Sequence, residues 1–231
     1  MTKKLKTRSP LLLTSSFLAT FLGTAFSSMS IANVNYADNS GFSITNESES
    51  YAPVEVVYSH FIQHVDMWWP KDHTWWKGAL RIDEQAGGCF CETTDTASAA
   101  HMQVSYVEPN KKVVMTGGLG PLQEMGMSGA LTWEFSTIAS STSSDANTQD
   151  GRIPKTKVTL TYHASGNIHF NGQKASNEDA ANLVRVVDKV QAQQLKSLMC
   201  YAKRPDTHPS AYAYIPGLYQ QAHPPVQKKP L

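Results

Sequence analysis

A change of period near residue 79 constrains this chain more than any other feature. Before it, apolar residues recur at helical spacing, with Val54, Val57, Phe61 and Val65 following Pro53, a residue suited to a first helical turn. This spacing predicts a helix over 53–65, running into Met67-Trp68-Trp69-Pro70 and stopped by the proline. After it, apolar and polar residues alternate. Leu80 and Ile82 alternate with Arg81 and Asp83, and Met102, Val104 and Tyr106 with Gln103 and Ser105. Leu131, Trp133 and Phe135 alternate with Thr132 and Glu134, and Val158, Leu160 and Tyr162 with Thr159 and Thr161. Shorter runs over 89–94 and 113–116 complete six strands of an antiparallel meander with one wet face. A weak alternation over 42–46 adds a first, edge strand. Residues 139–154, rich in Ser, Thr, Asp and Asn, read as a long hairpin loop inside the meander.

The period returns to helical over 177–202. Steps of 100° put Ala180, Leu183, Val184, Val187, Val190, Leu195, Leu198 and Tyr201 on one face. No other element is long enough to cover the apolar face of the sheet. The fold class is therefore α+β, a curved antiparallel sheet of about six to seven strands wrapped around a long C-terminal helix. A bent sheet gripping one helix encloses a space in which a small ligand would sit.

The termini carry a different message. Lys3, Lys4, Lys6 and Arg8 precede an apolar run over 11–26, and Ser30-Ile31-Ala32 offers small residues where a signal peptidase cuts. The run is short of the ~20 apolar residues of a spanning helix and is diluted by hydroxyls, so a cleaved signal over 1–32 is the expectation. The mature chain would then be periplasmic or secreted, with no stable membrane anchor. Without those four cations the acids outnumber the bases, and no basic cluster remains for nucleic acid. Residues 33–40 read as a flexible lead-in, 41–202 as the domain, and 203–231 as a proline-rich tail.

Three cysteines are an odd number for an exported chain. In an extended strand the Cα atoms of Cys89 and Cys91 would be nearly ~7 Å apart, too far for an easy bridge. Cys200 falls on the polar face of the last helix. Cys89, Cys91 and His101 offer only part of a zinc site. Small buried thiols are the simpler reading, and no metal or cofactor is expected.

Several side chains are candidates for the ligand site. Trp68, Trp69, Trp75 and Trp76 lie within nine positions, with Asp72 and His73 between them; they form either an aromatic wall at the cavity mouth or a plug of the core. His73 suits a general base, a ligand-orienting donor or a structural hydrogen bond. If Ile82 faces inward, an even turn at Gly87-Gly88 sends Glu84 and Cys91 inward with it, whereas an odd turn sends Phe90 and Glu92. A carboxyl inside an apolar cavity would have a raised pKa and could serve as an acid. Gln191 and Gln194 fall in the middle of the apolar face of the last helix, where an unpartnered amide costs about 1–3 kcal/mol. They mark a polar point in the cavity, floored by Trp133 and Tyr162. Leu122, in the turn over 118–122, is counted with them. No nucleophile triad, phosphate loop or dinucleotide glycine pattern is present.

The order of elements resembles the helix-grip fold of the START-like (SRPBCC) superfamily. The motifs are similar to its bacterial branch, the homologues of the activator of heat-shock protein 90 ATPase. They are Val57-Tyr58, Trp68-Trp69-Pro70 with His73, Gly87-Gly88-Cys89-Phe90-Cys91-Glu92, Gly118-Leu119-Gly120-Pro121-Leu122 and the late helix with Gln194. The resemblance covers about 42–202 and implies a cavity fold used by lipid carriers and polyketide cyclases. An exported protein meets neither ATP nor a cytosolic chaperone. The leading expectation is a binding module for a small, mostly apolar or aromatic molecule. A cyclase- or hydrolase-type enzyme and a protein-interaction domain are the alternatives.

Overall fold

In the computed structural model, which describes residues 31–138 and 155–203, one sheet of eight strands carries the fold. The elements run β1 (Ile31–Asp38), β2 (Gly41–Ser50), α1 (Val54–Gln63), α2 (Val65–Trp68), β3 (Ala79–Ile82), β4 (Cys89–Thr93), β5 (Ser98–Glu108), β6 (Lys112–Gly117), β7 (Ser128–Ile138) and β8 (Lys155–Ser165). A small hairpin follows, β9 (His169–Phe170) with β10 (Gln173–Lys174), and then α3 (Asn177–Tyr201). Short 3₁₀ turns sit at Lys71–His73 and Gly120–Leu122. The loop over 139–154, the tail beyond 203 and residues 1–30 of the expected export signal fall outside the described residues, while Ile31 and Ala32, the last two residues of that expected signal, begin β1.

The sheet is antiparallel throughout, in the order β1-β2-β8-β7-β6-β5-β4-β3. β2 through β8 with α3 is a helix-grip architecture. α3 starts where Ser176 Oγ accepts the Asp179 N–H at 3.1 Å, an N-cap that satisfies one orphan donor. The alternation of Leu131, Trp133, Phe135, Val158, Leu160 and Tyr162 is realised as buried positions on the inner face.

β1 occupies residues where the sequence suggested a loose lead-in, and it displaces β2 from the edge to the interior. Its pairing is held by polar contacts with little apolar burial. Asn35 Nδ2 donates to Ser43 Oγ and Thr45 Oγ1, both at 3.1 Å, while Tyr36 stays half exposed. An apolar-periodicity argument cannot see such a strand.

The strands bend where residues are added. Pairing of β4 with β5 passes from Phe90↔Met102 to Cys91↔Ala100, leaving His101 extra. Pairing of β5 with β6 leaves Ser105 extra in the same way. A bulge increases local twist and re-aims side chains. His101 and Met102 are consequently both buried, while Tyr106 turns outward although simple alternation groups it with Met102 and Val104. The same irregularity corrects the cysteine expectation. Cys89 and Cys91 are disulfide-bonded, with Cα atoms 5.5 Å apart, because β4 is not evenly extended there. Cys200 is a free, exposed thiol.

The core is a ridge of rings. Phe61 lies 4.8 Å from Trp133, 5.3 Å from Phe135 and 6.1 Å from Trp68 between ring centroids. Phe61 has no solvent exposure and joins α1 to the sheet. Phe61→Ala removes that joint, and a urea titration is expected to show a loss of about 3–5 kcal/mol; a loss below 1 kcal/mol would mean the ridge does not hold α1.

Candidate functional site

One carboxylate organises the loop between α2 and β3. Ile82 pairs with Phe90 and Leu80 with Glu92, so the odd register is the one adopted. It carries Phe90 and Glu92 inward and leaves Glu84 exposed outside the strand. Gly87 has φ +86°, and a Cβ on Gly88 would lie 2.5 Å from the Asp83 Cβ, so both glycines are needed by this turn. Glu92 has no solvent exposure. Its Oε1 accepts the N–H groups of Trp76 at 2.9 Å and Gly78 at 2.8 Å, and its Oε2 accepts that of Trp75 at 2.8 Å. Burial alone would push the Glu92 carboxyl up. The N–H groups of Gly78, Trp75 and Trp76, with His101 beside them, instead hold it below its ordinary value. Glu92 is therefore an ionised clamp, and the expectation of an acid with a raised pKa is overturned.

His101 is the neighbour of that clamp. Its Nε2 lies 3.2 Å from Glu92 Oε2, and burial outweighs the attraction of the carboxylate, keeping the imidazole below its ordinary value and neutral. Phe90 packs between His101, tilted at 5.0 Å, and Trp69, edge-on at 4.8 Å. This places Trp69 at the end of the core ridge, where a cavity begins.

The cavity holds about 310 Å³, near the lower end of the usual size for small-molecule sites. One wall is α3, through Leu183, Val186, Val187, Val190, Gln191 and Gln194. The second is the segment from Trp69 through Asp72, His73 and Thr74 to Trp75. The third is the turn from Leu119 to Leu122 with Met125, and the sheet contributes His101. The walls are thus helix and loops more than sheet. The third wall is tied down from behind: Tyr162 Oη accepts the Leu119 N–H at 3.1 Å and donates to Gly117 O at 3.2 Å. Gln123 Nε2 bridges the Ala100 and His101 carbonyls at 2.7 and 2.9 Å, fastening the same turn to the β5 bulge.

The wall is apolar except at a few atoms. Gln191 is fully buried, and neither Nε2 nor Oε1 has a protein partner. Gln194 is 1% exposed, with Oε1 unpartnered, and His73 Nδ1 is likewise buried without a partner. No lysine or arginine among the described residues lines the cavity.

The structure brings together Trp69, His73, Trp75, Leu122, Gln191 and Gln194 from the candidate set. It separates the others. Trp68 and Trp133 belong to the packed ridge, so of the four clustered tryptophans one is plug and two, Trp69 and Trp75, are wall. Trp76 is half exposed outside the cavity lining. Tyr162 is a brace behind the turn and not a floor, because its hydroxyl is consumed by backbone groups. Glu84 is not on the cavity lining and accepts the hydroxyl of Tyr58, from α1, at 2.8 Å, and Cys91 is in the disulfide. The sequence offers His101 only as a metal donor; its place on the wall comes from a bulge that no spacing rule reveals. Among the described residues no group of three or more His, Cys, Asp or Glu side chains could hold a metal ion.

Several solved structures are distantly similar to this chain. The chain is similar to a conserved protein of unknown function from Enterococcus faecalis, at 10% identity over 77% of this chain and 80% of that one, TM-score 0.46. It is similar to CalU16 from Micromonospora echinospora, at 13% identity over 78% and 88%, TM-score 0.44. It is also similar to the Zhui aromatase/cyclase from Streptomyces sp. R1128, at 13% identity over 70% and 93%, TM-score 0.45. Nothing about function is drawn from likenesses this distant. No family model and no curated protein matches the chain.

The clamp makes a pH prediction. Both shifts are downward, so each group contributes stability above its ordinary pKa that is lost as pH falls. Stability is expected to decline from about pH 6.5 as unfolded His101 takes up a proton its folded counterpart refuses, and further below about pH 4.5 through Glu92. His64, also held low by burial, contributes in the upper window; His101→Gln should therefore flatten that window in part. Glu92→Gln turns an NH₂ toward one N–H donor and should cost about 1–3 kcal/mol by denaturant titration at pH 7. No loss in that variant would mean the loop is held by something else.

Proposed function

We propose that this chain is an exported carrier that holds one small, mostly apolar, ring-bearing molecule between α3, the Trp69–Trp75 segment and the Leu119–Leu122 turn. The observation that carries the reading is the pair Gln191 and Gln194, buried at the wall of an apolar cavity with amide atoms that have no partner among the described residues. Buried polar groups are paired in nearly all native structures. A ligand that supplies the missing partners removes a cost the empty protein bears, and Trp69 and Trp75 offer it ring faces.

Membership of the START-like superfamily, and of its heat-shock-activator branch within that, belongs to this proposal and rests on the motifs and element order. Export rests on the three-part N-terminus. The Cys89–Cys91 bond supports it, because disulfides persist in oxidising compartments. A catalytic reading would need a proton donor other than Glu92, and Asp72, His73 and His101 are the titratable side chains on the cavity lining. No helix among the described residues is long and apolar enough to cross a membrane.

Native mass spectrometry of protein isolated from the periplasm tests the carrier: a bound mass of a few hundred daltons, released by organic solvent, is expected. Gln191→Leu should lose that mass while raising the stability of the empty protein by about 1–3 kcal/mol, since it removes an unsatisfied amide. A variant that keeps the ligand, or is no more stable empty, would refute the role given to Gln191.

A further inference from the structure

We infer that the cavity selects neutral ring compounds carrying a cis-amide edge, that is, a lactam or cyclic imide, and that Gln191 reads this edge. The inference rests on the carrier reading and adds the class of ligand. A glutamine side chain presents one acceptor oxygen and an adjacent NH₂ donor. Gln191 has both unused, and both are buried. A ligand group that accepts alone satisfies one and leaves the other stranded, and so does one that donates alone. A cis-amide offers a donor and an acceptor side by side and closes two antiparallel N–H···O bonds with the glutamine. The same head-to-head logic lets Asn and Gln read adenine bidentately.

Charge narrows the class further. A carboxylate is acceptor-only: it could take the Nε2 donor but would leave Gln191 Oε1 unpaired and facing a negative group. The lining includes Asp72 but no lysine or arginine among the described residues, and the ionised Glu92 lies directly behind His101. An anion entering this space finds no counter-charge, so exclusion of anions follows from the wall itself. Gln194 Oε1 and His73 Nδ1 remain for a second polar group on the ligand or for water. The volume of about 310 Å³ suits a fused two-ring compound.

The test uses the full chain and four probes of nearly one shape: isoquinolin-1(2H)-one, its N-methyl derivative, naphthalene and 1-naphthoate. Binding is read by quenching of tryptophan emission, to which Trp69 and Trp75 in the wall respond, and confirmed by calorimetry. The lactam is expected to bind at least tenfold more tightly than its N-methyl form and than naphthalene, with 1-naphthoate weakest. Gln191→Leu should weaken the lactam at least tenfold and tighten naphthalene, reversing the order. Equal binding of lactam, N-methyl lactam and naphthalene would overturn the inference and leave the carrier reading standing. Preference for 1-naphthoate would overturn it as well. Failure of all four probes to bind the wild-type chain would overturn the inference and the carrier reading together.

Discussion

The Glu92 carboxylate is the constraint on which the site depends. It is buried, ionised and surrounded by N–H donors from Trp75, Trp76 and Gly78, so the loop before β3 has one way to sit. A buried charge left unpaired would cost several kcal/mol, which gives this arrangement its rigidity. Through that loop the carboxylate places Trp75. Through β4 it fixes Phe90, and through Phe90 the rings of Trp69 and His101. A residue that looks catalytic by composition is here a fastener, because three amide dipoles stabilise its charge more than burial opposes it.

Curvature does the rest. The extra residues at His101 and Ser105 bend β5 and break its alternation. Without the first bulge His101 would point away from the inner face, and the cavity would lose both its sheet-side wall and the partner of Glu92. The core needs no such device: Phe61, Trp68 and Trp133 fill the space under α1 as a solid ridge. The hollow therefore lies beside the ridge, toward the middle of α3, and not across the centre of the sheet.

Much of this was legible in the residues. Period-2 runs located β3 and β5 to β8, and the 100° wheel located α3 and marked Gln191 and Gln194 as out of place on an apolar face. What stayed hidden has physical causes. β1 is held by its backbone ladder to β2, with Asn35 side-chain bonds beside it, and these leave no apolar signature. The inward face of β4 depended on the parity of a turn, so Cys91 and Glu92 could not be told apart until the register was known. The cysteine bond required a strand that is not evenly extended. Trp133 and Tyr162 were placed on the correct face, but a face does not say whether packing reaches it. Trp133 meets Phe61 and Trp68, and the Tyr162 hydroxyl is taken by Gly117 and Leu119.

α3 shows in one helix how fold and site divide the same surface. Toward its C-terminal end Leu195, Leu198 and Met199 are fully buried, and the helix closes the core. Toward its N-terminal half Leu183, Val187 and Val190 have the same chemistry but are only partly buried, and all three line the cavity. Full burial of such side chains contributes roughly 1.5–3 kcal/mol each, so the uncovered ones represent stability the empty protein forgoes. The two glutamines between these stretches add unsatisfied amides at the same wall. Leucines at 191 and 194 would remove the second deficit. An empty cavity thus explains neither feature, whereas an occupant with a ring and a paired polar edge would cover the valines and leucine and satisfy the amides in one step. The cost is concentrated where a ligand could relieve it, and that is the physical argument for a site.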